Sequence, residues 1–317
     1  MISADASPAP APVQKRRRIA LVVFVVLAFA LAWLVALPLW VGADVGNLGQ
    51  GSIMGMIVAA AMMFTPTLAA LVSLLLVERV GWRGFVRRTG LGLGPSPRRT
   101  VTVTLALMLG LWAACLAVPL VATVLGGMSL DWSFPALRQQ IAASGQDIPI
   151  PMWALFLISI LQMPLAAFVP NGILGAAEEI GWRGYMMPEL MTLGRVPALL
   201  IGGVIWGLWH TPLTLLGHNF QTDAWWGPLV MSVGCIMLGT VLSWARLRTD
   251  SIWPAAIGHG MVNAAGSIGF VVAAVDPAPN PVIASPLGVA GWIVFGAIAA
   301  ALLVRSPWSP DQSLTRS

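Results

Sequence analysis

The stretch IALVVFVVLAFALAWLVALPLWV, Ile19 to Val41, decides the fold class. It runs for twenty-three residues without a charge, and a bilayer core about 30 Å thick is crossed by roughly 20 helical residues at 1.5 Å each. Apolar and polar residues do not alternate along it, as they must in the strands of a membrane barrel. A helix is therefore expected, because it satisfies its backbone groups within one segment. Lys15, Arg16, Arg17 and Arg18 precede the run, as in a secretory signal. The run is longer than the usual signal core of about 7–15 residues and ends without a clear cleavage site, so it reads as a retained first helix.

Seven more stretches reach spanning length, at about 53–77, 100–125, 152–174, 197–216, 225–245, 252–272 and 283–304. The expected architecture is all-α, a polytopic membrane helical bundle of about eight transmembrane helices. Composition agrees. Of 317 residues, 58% are hydrophobic and only 9% charged, whereas a soluble domain carries about 25% charged residues. This excludes an ordinary cytosolic enzyme, a secreted disulfide scaffold and a disordered regulator. The net charge of +5 is spread over short basic flanks beside apolar runs, so no nucleic-acid partner is expected. Cys115 and Cys235 lie in apolar stretches and read as small buried residues.

With eight spans, sixteen of the seventeen Lys and Arg residues fall on the side shared by both termini, and Arg138 alone lies opposite. By the positive-inside rule both termini are then cytoplasmic, and the protein sits in a cell membrane, by composition a bacterial inner membrane. The expected divisions are a disordered basic tail at 1–18, helices one to three with their loops at 19–151, a core of helices four to seven at 152–272, and a last helix with a short tail at 273–317. The loop at 126–151 can carry a short surface helix. An amphipathic helix is expected within 78–99, ahead of the loop Gly90-Leu91-Gly92-Leu93-Gly94-Pro95.

A charge at the bilayer centre costs about 2.5–3.5 kcal/mol, so polar residues within spans are the informative ones. They are Glu178, Glu179 and Arg183 at the end of span four, His210 in span five, and His259 and Asn263 in span seven. His218 lies in a loop and reads as solvated. Glu179 and Arg183, four apart, share a helix face and can pair, while Glu178 points about 100° away toward a cavity. Trp206 and His210 share a face, as do His259 and Asn263.

One acid and two imidazoles from three helices fit two hydrolytic chemistries. In one, Glu178, His210 and His259 hold Zn²⁺, which activates a water. In the other no cofactor is needed: Glu178 with His210 takes a proton from water, and His259 with Asn263 stabilises the oxyanion. The partners are then the lipid bilayer and a membrane-associated peptide or protein substrate. Gly81-Trp82-Arg83-Gly84-Phe85 and Gly181-Trp182-Arg183-Gly184-Tyr185 recur one hundred residues apart. Both read as interface segments, with Trp at headgroup depth and Arg reaching lipid phosphate. Gly203 and Gly207 are spaced for tight helix packing.

The three polar patterns resemble those of the CPBP intramembrane proteases, which include the CAAX prenyl endopeptidases and bacteriocin-processing or immunity proteins. That family's E-E-x-x-x-R, F-x-x-x-H and H-x-x-x-N or D stand here as Glu178 to Arg183, Trp206 to His210 and His259 to Asn263, within 152–272. The resemblance implies an eight-helix core and an endopeptidase in which Glu178 activates water with His210, His259 and Asn263 hold the oxyanion, and Glu179 and Arg183 shape the site. Members are often classed as metalloproteases, although glutamate chemistry without metal also fits. Trp206 departs from the pattern's phenylalanine, which bears on substrate fit. Two other readings are a non-proteolytic binding or immunity protein on the same fold, and an ion-coupled transporter; sparse polar groups on the external half oppose the second. The chain lacks the His-Glu-x-x-His pattern of site-2 zinc proteases, paired aspartates within spans, and the rhomboid Gly-x-Ser-Gly form around Ser267.

Overall fold

The computed structural model describes residues 11–42, 52–145 and 148–308. Apart from one isolated bridge between Leu130 and Ala273, the regular structure among them is helical. The elements are α1 (Ala11–Val41), α2 (Ile53–Met62), α3 (Thr65–Leu71) running into a π-helical turn at Val72–Val77, α4 (Gly81–Thr89), α5 (Pro97–Val124) and α6 (Pro135–Ser144). Then come α7 (Met152–Phe168), α8 (Asn171–Glu179), a second π-helical turn at Ile180–Met186, α9 (Met187–Leu190), α10 (Arg195–Trp209) and α11 (Thr211–Thr214). The chain closes with α12 (Gly227–Thr249), α13 (Trp253–Ala265), α14 (Ile268–Val271), α15 (Pro281–Ala284) and α16 (Val289–Arg305).

Five helical stretches are long and apolar enough to cross a bilayer: Pro12–Val41, Ile53–Val77, Pro97–Val124, Gly227–Thr249 and Pro281–Arg305. A sixth is a pair bent by 42°, Met152–Phe168 with Asn171–Leu193. The bend has a local cause. Val169, ahead of Pro170, is extended at φ −140° and ψ 122°, as the proline ring disfavours a helical residue before it. The other two expected spans are helical but short. α10 has 15 residues and α13 has 13, about 22 and 20 Å at 1.5 Å per residue, less than a bilayer core. Both end beside site residues, where irregular backbone is tolerated because it borders a cavity.

Helix α1 starts at Ala11, so residues 11–18, expected in the tail, are helical; residues 1–10 lie outside the described part. Ala20, Phe24, Ala28, Ala32 and Ala36 form its buried face, at four-residue spacing. The small side chains let α3 lie close. There Thr65 donates to the Ala28 carbonyl at 3.5 Å and accepts from the Trp209 indole at 3.2 Å. The far end of α1 is tied by Trp40, whose indole donates to the Pro212 carbonyl at 3.0 Å. The short helices expected within 78–99 and 126–151 are α4 and α6.

Glycines set the close contacts that position the site. A Cβ on Gly175 of α8 would lie 2.5 Å from the Ala256 carbonyl oxygen, and one on Gly260 of α13 would lie 2.6 Å from that of Ala167. No side chain fits between these backbones. Gly203 and Gly207 do the same for α10 against α12, where a Cβ would meet Ile236 and Ser232 Cα at 2.6 and 2.3 Å. Helices without such side chains gain van der Waals contact along their whole crossing.

Candidate active site

The close approach of α8 and α13 carries Glu179 onto His259. Glu179 Oε1 accepts from Arg183 Nη1 at 2.8 Å and from His259 Nδ1 at 2.9 Å. All three residues are buried, and Glu179 Oε2 has no hydrogen-bond partner among the described residues. The Glu179–Arg183 bond is the four-residue pairing read from the sequence; the histidine, eighty positions away, joins it only through tertiary packing.

Glu178 follows the same helical rule with a partner the sequence reading missed. Trp182, four residues on, donates its indole N–H to Glu178 Oε2 at 3.1 Å. Trp206 of α10 donates to the same oxygen at 2.8 Å. Both bonds fall on Oε2, so Oε1 keeps its lone pairs for the cavity that Glu178 lines. Trp182 is fully buried and Arg183 nearly so. The expectation that this segment meets lipid headgroups is therefore corrected: buried partners at the i−4 positions draw both side chains inward.

Trp206 is the hub of the site. Its ring lies 4.0 Å beneath the Arg183 guanidinium carbon, an arrangement favoured by the negative face of the indole. Gly239 leaves room for that guanidinium, since a Cβ there would sit 2.7 Å from Arg183 Nη2. Trp206 also meets the His259 ring edge-on at 5.4 Å and the His210 ring at 5.9 Å. A phenylalanine would fill the wall but could not donate to Glu178, so this residue bears on the acid itself and not on substrate fit alone.

His210 caps α10, with Nδ1 2.8 Å from the Trp206 carbonyl oxygen. A carbonyl only accepts, so Nδ1 carries the proton, and in the neutral ring Nε2 is a free acceptor. His259 differs: its Nδ1 faces a carboxylate, which compensates the charge of a doubly protonated ring.

Glu178, Trp206, His210, His259 and Asn263 all line one cavity of about 620 Å³. Much of the remaining wall is apolar, including Met56, Met63, Leu174 and Phe270. His218, read as a solvated loop residue, is half-buried and lines the same cavity. Burial pushes its imidazole below the ordinary histidine range, which favours the neutral ring.

The Zn²⁺ arrangement fares differently. Among the described residues, no group of three His, Cys, Asp or Glu side chains is placed to hold a metal ion. Glu178 Oε2 accepts from two indoles and the Nδ1 atoms of His210 and His259 are bound to protein oxygens, which leaves Glu178 Oε1 and the two Nε2 atoms as the remaining donors. Their placement does not support Glu178, His210 and His259 as a zinc triad.

Residues 150–265 match the family model described as type II CAAX prenyl endopeptidase Rce1-like. This segment contains every residue of the cluster. Residues 150–265 belong to the Rce1-like CAAX endopeptidase family. A curated relative, CAAX prenyl protease 2 of Methanococcus maripaludis, is 30% identical over 92 residues, covering 27% of this chain and 34% of that protein. The match thus spans about a third of the relative's length. Rce1-like proteins form a peptidase family, and the apolar helices described above are consistent with a multi-pass membrane protein.

Proposed function

We propose that the chain is an intramembrane endopeptidase that hydrolyses a membrane-associated peptide or protein with a glutamate-activated water. The observation that carries this reading is the convergence of Glu178, His210, His259 and Asn263, from three helical segments, on one cavity. Glu178 Oε1 takes a proton from a water that also donates a hydrogen bond to the free Nε2 of His210. The hydroxide attacks the peptide carbonyl. His259, held by Glu179 and offering Nε2–H, and the Asn263 amide stabilise the resulting oxyanion. Glu178 then returns the proton to the leaving amine. Arg183 and Trp206 keep the two carboxylates apart, one bound to cations and the other to neutral indoles.

The catalytic core is 152–272, which contains nearly the whole family match. Counted over the eight apolar segments of the sequence, with α10 and α13 among them, the charge segregation supports cytoplasmic termini in a cell membrane. Because the relative is named a CAAX prenyl protease, a farnesylated CAAX peptide is the first substrate to try, followed by membrane peptide precursors. In membranes containing the full chain, Glu178→Gln is expected to lower cleavage by about 10²–10⁴-fold, the usual contribution of an acid–base group. His210→Ala and His259→Ala are expected to lower it by about 10²–10³-fold. Normal cleavage by all three variants, at equal protein levels, would contradict this site, and absence of cleavage by the wild type would leave a binding or immunity role on this fold.

A further inference from the structure

The first copy of the repeated motif is not absorbed by the active site. Helix α4 follows the candidate span Ile53–Val77 after three residues, so it stands at that helix's membrane end. Its outer face presents Trp82, Arg83 and Arg87, all exposed. The two arginines are four apart and project from one face. Beside them lies a second cavity of about 450 Å³, lined by Trp82, Arg83, Val86, Arg87, Asp250 and three glycines of the 90–94 loop.

The charges of this cavity are unevenly used. Arg88, on the other face of α4, is bonded to Glu78 and Glu189. Asp250, the acid in the lining, is taken by Arg246 at 2.7 Å. Among the described residues, no carboxylate pairs with Arg83 or Arg87. Two guanidinium groups therefore face the cavity uncompensated. Trp82 is 62% exposed, but its ring is stacked on buried Phe85 at 5.2 Å, which fixes an amphipathic indole at the same level. The loop seals the floor: Gly90 packs under Arg246, and a Cβ on Gly94 would lie 2.0 Å from the Thr249 carbonyl oxygen.

We propose that this cavity binds the phosphate of an anionic phospholipid headgroup. Arg83 and Arg87 form charge-assisted bonds to the phosphate oxygens, and the Trp82 ring packs on the glycerol and upper acyl region. A lipid is favoured over free phosphate because two unpaired arginines and an exposed indole share one surface at the end of a membrane-length helix. The inference does not depend on hydrolysis.

The test uses the full chain in detergent, with lipid retention followed by native mass spectrometry as phosphatidylglycerol, phosphatidylcholine or inorganic phosphate is added. Wild type is expected to retain phosphatidylglycerol in preference to phosphatidylcholine. The exposed-face double variant Arg83→Gln/Arg87→Gln is expected to weaken that retention about thirtyfold, from about 1 kcal/mol per arginine near an anionic surface. The charge-matched variant Arg98→Gln/Arg138→Gln is expected to retain it as wild type does. Equal loss in both double variants would reduce the effect to net charge and overturn the site. Absence of a phosphatidylglycerol preference, or inorganic phosphate competing at equal concentration, would overturn it as well.

Discussion

Gly81-Trp82-Arg83-Gly84-Phe85 and Gly181-Trp182-Arg183-Gly184-Tyr185 share most of their letters and almost none of their surroundings. Trp82 is 62% exposed and Trp182 is 0% exposed. Arg83 faces outward, while Arg183 is buried between Glu179 and the Trp206 ring. The residues four positions earlier account for the difference. Glu179 stands before Arg183, but Arg79 stands before Arg83, so the first arginine lacks an acid on its own helix. Glu178 and Glu78 are the same residue, yet only Glu178 meets its tryptophan. The first copy is interrupted by positive φ at Arg79 (62°) and Gly81 (70°), which breaks the helical register between Glu78 and Trp82. In the second copy the helix runs on through a π-helical turn. The two copies also touch: Tyr185 donates its hydroxyl to Glu78 at 3.3 Å.

The contrast is sharpest at the arginines. Arg183→Gln leaves the buried Glu179 carboxylate with His259 as its remaining partner and is expected to cost about 3–5 kcal/mol. Arg83→Gln is expected to stay within about 0.5 kcal/mol, as exposed substitutions do. Thermal unfolding in detergent compares the two, and equal losses would erase the distinction.

The tryptophans come next. Trp182→Phe and Trp206→Phe each remove an N–H bond to a carboxylate, worth about 1.5–3 kcal/mol, and are expected to slow cleavage at least about tenfold. Trp82→Phe is expected to leave the rate unchanged. Cleavage rates at matched protein amounts check this set.

The smallest expected effect separates two glycines. A Cβ on Gly181 would lie 2.6 Å from the Pro66 carbonyl oxygen, so Gly181→Ala forces backbones apart at about 1–3 kcal/mol. Gly81 has open space around it but φ of 70°, so Gly81→Ala costs about 1–2 kcal/mol through backbone strain alone. A phenylalanine-sized residue at Gly181 should therefore be far worse than alanine, whereas at Gly81 size should matter little. Melting temperatures of the four variants distinguish crowding from strain.

These contacts also mark what was legible in the sequence. Long apolar runs marked directly five helices long enough to cross a membrane, since their signal is additive along the chain. The four-residue rule gave Glu179–Arg183, and applied again to Glu178 it would have given Trp182; the indole was instead read by its preference for interfaces. His259 on Glu179 and Trp206 on Glu178 join residues 80 and 28 positions apart. No local rule reaches that far. They depend on how closely Gly175, Gly203, Gly207 and Gly260 let helices approach, and a glycine in a sequence does not name its neighbour. The short lengths of α10 and α13 were hidden for a related reason: apolar residues beyond their ends line a cavity and look like more helix.

The convergence of Glu178 and His210 on one water is tested most directly by a double-mutant cycle. Cleavage of one substrate is measured for wild type, Glu178→Gln, His210→Ala and the double variant. Groups serving a single proton transfer are strongly non-additive, so the double variant should be no slower than Glu178→Gln by more than about threefold. If the two losses multiply, the residues act on separate steps, and the shared-water pocket is contradicted.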